Sequence, residues 1–109
     1  MGKGNAKLLK ELKSFKNSTK DKYGIEKLIL FGSQVSGKQR KWSDVDLIVV
    51  SKKVKNNRLG FIMNMYDEWH IKQNINHPVD FICFTPKEFN ERRNGPTIVM
   101  EAVKEGIII

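Results

Sequence analysis

The sequence predicts a small α/β protein, α+β in the order of its elements, with helices packed on a mixed β-sheet. Three observations predict it. Apolar, β-branched runs at 25–31, 44–50 and 79–84 read as strands. Segments 6–22 and 58–74 carry apolar residues at helical spacing. The second helical segment separates the second and third strands, which makes that pair parallel. Only about a dozen residues separate the first and second, which makes those antiparallel.

Each element has a local reason. Leu8, Leu9, Leu12 and Phe15 form one stripe of the first helix, with lysines opposite, and Gly24 is placed to cap it. Ile25–Phe31 reads as a strand stopped by Gly32-Ser33. Residues 34–43 are polar and basic, and read as a helical turn and loop. Asp44–Val50 is the second strand, and Ser51–Asn57 a polar turn. In the second helix the stripe is Leu59, Ile62, Met63, Tyr66 and Trp69, ended by Asn76-His77-Pro78. Val79–Phe84 is the third strand. Thr85-Pro86 is an N-cap with proline at the first helical position, opening a helix to about Arg93. Ile98, Val99, Ala102 and Val103 mark a last helix capped by Gly106, and Ile107–Ile109 a short closing strand.

At 109 residues and 39% hydrophobic, the expectation is one globular domain over 1–109. No apolar stretch approaches the roughly 20 residues of a membrane span, and the lysine-rich amphipathic start leads us to expect no signal peptide. Cys83 is the only cysteine, so no intrachain disulfide forms, in keeping with a cytoplasmic location. The net charge of +8 fits either a polyanion partner or a solvated lysine-rich surface; direct nucleic-acid binding rests on that charge alone.

Three aspartates stand at the starts of two apolar strands, where an uncompensated carboxylate is costly. Strand period two puts Asp44 and Asp46 on one face. Their repulsion is relieved by a divalent cation between them. The parallel third strand brings Asp80 beside them, and the antiparallel first strand delivers Gly32-Ser33 to the same edge. Gly32 lets phosphate oxygens approach its backbone, and Ser33 opens a turn whose N–H groups and hydroxyl can bind phosphate.

Leu-Phe-Gly-Ser, ten residues, then Asp-Val-Asp-Leu-Ile-Val-Val resembles the signature of the DNA polymerase beta superfamily of nucleotidyltransferases. The size of the chain and its near-complete coverage look most like the minimal nucleotidyltransferases, often paired with a HEPN-domain toxin. The resemblance implies the polymerase beta palm-like fold and an ATP-dependent, two-metal enzyme moving AMP to a hydroxyl of a partner protein, with HEPN ribonucleases as the characterised acceptors. It implies Gly32 and Ser33 as the phosphate-binding pair, and Asp44, Asp46 and Asp80 as metal-binding and catalytic carboxylates. The cofactors implied are two Mg²⁺, with Mn²⁺ an alternative, and ATP as substrate. Arginines common after Gly-Ser in this family are replaced here by Gln34 and Ser36. Lys38, Arg40 and Lys41 fit either a substitute grip on the triphosphate or a solvated loop.

Other readings stay open: a transferase acting on a small molecule or RNA end at a homo-oligomer interface, or a non-catalytic toxin-binding module. Lys52, Lys53, Lys55 and Arg58 read as a solvated turn. His70 and His77 read as surface or turn residues, Tyr66 and Trp69 as core, and Cys83 as an inert core thiol.

Overall fold

The computed structural model describes residues 3–32 and 45–109. Helix α1 (Lys3–Tyr23) leads into strand β1 (Ile25–Phe31). Strand β2 (Val45–Ser51) follows, then a 3₁₀ turn (Lys52–Lys55) and helix α2 (Arg58–Asp67), which continues as one π-helical turn (Glu68–Lys72). Strand β3 (Val79–Phe84), helices α3 (Pro86–Arg92) and α4 (Ile98–Glu105), and strand β4 (Ile107–Ile108) complete the order.

The four strands form one sheet in the order β3-β2-β1-β4. β2 and β3 are parallel, with Asp46 opposite Asp80 and Val50 opposite Phe84. β1 and β2 are antiparallel, with Phe31 opposite Asp46 and Ile25 opposite Ser51. Both orientations follow from the connection lengths, as the sequence predicts. β4 pairs antiparallel with β1, so the closing strand forms as expected.

Strand alternation divides the apolar residues between two faces. One face, with Leu28, Leu30, Leu47, Val49, Phe81 and Cys83, meets Leu8, Leu12 and Phe15 of α1 and Phe61 and Met65 of α2. Trp69 lies at its centre, edge-on to Phe15 at 5.3 Å and to Phe81 at 5.9 Å between ring centroids. The other face, with Ile29, Phe31, Ile48, Val50 and Phe84, meets Phe89 of α3 and Val99 and Ala102 of α4. β2 is buried on both faces, which explains its near-continuous apolar run.

Several local expectations hold at the level of atoms. Gly24 follows α1 with φ +61°, the left-handed conformation of a helix C-terminus. Thr85 and Glu88 form a reciprocal capping box around the proline of α3. Tyr66 is partly buried and Trp69 fully buried.

Two expectations are corrected. The 51–57 segment is not merely a polar turn. The buried Ser51 hydroxyl caps a 3₁₀ turn by accepting from Lys53 N, and donates to Tyr23 O at 2.6 Å. The buried stripe of α2 is also different. Leu59 and Met63 are 69% and 62% exposed, while Phe61 and Met65 enter the core. The segment is apolar nearly all round, so periodicity alone does not identify the inner face. Packing on the sheet does so, with Phe61 and Met65 joining the core cluster that holds Trp69 and Phe81.

Candidate active site

The site grows from one edge of the sheet, where β1 ends and β2 and β3 begin. Parallel pairing sets Asp46 and Asp80 at the same register on adjacent strands, which lie about 4.8 Å apart. Residues at one register share a face, here the one that meets α3 and α4. Asp46 is half-buried and Asp80 exposed. The start of β3 is tied to β2 by Val45 N donating to Pro78 O at 2.8 Å.

Gly32 follows the last residue of β1 and has φ +82°, where an L side chain is strained. A Cβ built there would overlap Asp46 Oδ2. The carboxylate therefore stands directly against the Gly32 backbone, in space that only glycine leaves open.

The approach to Asp80 is shaped by the π-helical turn. Trp69 Nε1 donates to His77 O at 2.9 Å, and Ile75 N donates to Trp69 O at 3.0 Å. These bonds hold residues 75–78 against the core just before β3. Tyr66 Oη accepts from Phe81 N at 3.4 Å, immediately after Asp80. Trp69 was legible as core, but its hold on the segment before Asp80 was not, because the bond joins a side chain to a backbone eight residues away.

Of the residues expected at the site, Gly32, Asp46 and Asp80 converge. Ser33, Gln34, Ser36, Lys38, Arg40, Lys41 and Asp44 lie outside the described residues. Among the described residues no three His, Cys, Asp or Glu side chains come together as a metal-ligand group. What they contain is a carboxylate from each of two adjacent strands, an all-oxygen donor pair. Such donors suit hard cations such as Mg²⁺ or Mn²⁺ rather than soft ones. Two like charges about 4 Å apart repel by about 1 kcal/mol in water and about 4 kcal/mol near a protein surface, a cost that a cation reverses. The chemistry of the pair fits a divalent ion.

Other candidates separate from this edge. Cys83 is buried within β3, and burial pushes its thiol up to about 12, the reverse of an activated nucleophile. His70 is exposed, and its Nδ1 lies 3.1 Å from Ile75 O. Arg58 is not part of a freely solvated turn. It donates to Cys83 O and pairs with Glu88 Oε2, each at 2.6 Å. No helix among the described residues is long and apolar enough to cross a membrane.

Residues 12–109 match the family model described as a nucleotidyltransferase domain. The fold resembles the crystal structure of a presumed nucleotidyltransferase from Sulfolobus solfataricus, with a TM-score of 0.60 and 22% identity. The alignment covers 94% of this chain and 79% of that one. Among curated proteins none matches significantly.

Proposed function

The chain belongs to the nucleotidyltransferase domain family, and from that premise we propose that it moves AMP from ATP onto a hydroxyl of a partner protein, a HEPN-domain toxin, acting as its antitoxin. The observation that carries the reading is the shared register of Asp46 and Asp80 on parallel strands, beside the exposed backbone of Gly32.

In this reading Gly32 and Ser33 receive the triphosphate, and Lys38 and Arg40 add positive charge. Asp44, Asp46 and Asp80 would hold two Mg²⁺, which would supply charge neutralisation of the triphosphate and acidification of the acceptor hydroxyl. The acceptor oxygen bonds to the α-phosphorus as the bond to pyrophosphate breaks. The hydroxyl proton passes in this reading to a carboxylate oxygen of Asp80, whose exposure supports that role. The Gly32–Asp46 contact orients the second carboxylate before substrate arrives, so less ordering is left to the transition state.

The test is transfer from α-labelled ATP, with Mg²⁺ and a HEPN-domain protein encoded beside it. Label should appear on the partner with the native chain and vanish with the Asp44→Ala/Asp46→Ala double variant. An unlabelled partner, with both proteins folded, would sink the protein-modifying reading. A double variant that still protects cells fully from the toxin would show that neutralisation is steric.

A further inference from the structure

The opposite edge of the sheet carries a second charged feature. From Asp46 to Ser51, the last residue of β2, the strand rises about 17 Å, so this edge is remote from the carboxylates. There a cleft of about 680 Å³ opens between the 3₁₀ turn, the start of α2 and the start of α3. Lys52, Lys55, Arg58 and Lys87 line it, together with Thr85 and Glu88. The single carboxylate, Glu88, is already paired with Arg58. Lys52, Lys55 and Lys87 are exposed, and none has an ion pair among the described residues.

The cluster is fixed to the fold. Ser51 ties the 3₁₀ turn to the end of α1 through Tyr23 O, and Lys53 Nζ donates to Lys22 O at 2.9 Å. Those bonds also place Lys53, exposed and without an ion pair among the described residues, beside the last turn of α1, where Lys22 is paired with Glu68. Positive charge therefore continues from the cleft along this edge.

We propose that this cleft binds the phosphodiester backbone of a nucleic-acid strand, without reading its bases. The volume exceeds what one inorganic phosphate fills, and the charge continues beyond the cleft, so the anion is extended. No aromatic side chain lines the cleft among the described residues, so it offers no platform for a base. An acidic peptide added as a strand would need free main-chain groups at the edge of β3. Arg58 Nη1 already occupies Cys83 O there.

The experiment is binding of a labelled single-stranded oligonucleotide of about a dozen nucleotides to the full chain, from about 50 to about 200 mM salt. It is run without nucleoside triphosphate or divalent metal, so its outcome is independent of the transferase reading. Affinity should fall linearly on logarithmic axes. The Lys52→Gln/Lys55→Gln/Lys87→Gln variant should reduce the slope by about two units, at about 0.7 per lysine for single strands. The Lys7→Gln/Lys10→Gln/Lys13→Gln variant removes the same charge from the exposed face of α1 and should leave the slope unchanged. Equal loss in both variants, or no loss in the first, would overturn the proposal. So would saturable binding of polyglutamate, abolished by the cleft variant, in a protein that does not bind the oligonucleotide.

Discussion

Gly32 concentrates two constraints in one residue: a backbone with φ +82° and the Asp46 carboxylate where its Cβ would be. Gly32→Ala should cost about 1–2 kcal/mol of stability through the backbone alone. It should also displace Asp46, so transfer activity should fall at least about tenfold at a temperature where the variant stays folded. Unchanged turnover would separate the glycine from the chemistry. Glu88 is a contrasting case, remote from the carboxylates. The Thr85 backbone N–H, reinforced by Arg58, holds its carboxyl below the ordinary range. A depressed carboxyl stabilises the fold above its unfolded pKa of about 4.3, and that contribution fades as pH falls through the lowered value. Glu88→Gln should therefore be less stable than the native chain near neutrality, with the gap closing as pH falls below the ordinary glutamate range. Denaturant midpoints across that range are the measurement.

Among the elements, the π-helical turn matters most for the site because it places the segment before Asp80. Trp69 contributes a buried ring and a single donated bond to His77 O. Trp69→Phe keeps a ring and removes the donor, at a cost of about 1–3 kcal/mol for a carbonyl left without its partner. The expected result is faster amide exchange at Val45, whose N–H bonds to Pro78 O beside the released segment. If Val45 exchange tracks only the global loss of stability, Trp69 is packing alone. α2 shows the limit of reading elements singly. Leu59, Phe61, Ile62, Met63, Met65, Tyr66 and Trp69 surround its axis, and two stripes are equally apolar in the sequence. The strands carry no such ambiguity, because their alternation admits only two faces and both are covered.

For the whole molecule, the sheet order makes β2 the structural centre: it is paired on both sides and buried on both faces. Its amides from Leu47 to Val50 should exchange only by global unfolding, while those of α4 and β4 should exchange through smaller openings. Native-state hydrogen exchange measures this, and a uniform profile would contradict it. The same arrangement separates the two charged features. Carboxylates gather where β2 and β3 begin, and lysines gather where they end. One rigid sheet thus keeps a candidate metal edge apart from a cationic edge.

Much of the candidate site was legible because it depends on short-range rules. The spacing of Asp44 and Asp46 has strand parity, and the length of chain between strands decides whether they pair parallel or antiparallel. Those two rules suffice to bring Gly32, Asp46 and Asp80 to one edge. The sequence by itself therefore determined the order of elements, the pairing of the strands and the convergence of these residues. Only the tertiary structure decided which face of α2 is buried, that Trp69 holds the segment before Asp80, and that Arg58 belongs to a cationic cleft rather than a solvated turn. The reason is physical. Periodicity and turn chemistry act within a few residues, whereas these features depend on contacts between side chains and backbones that meet only once the core has packed.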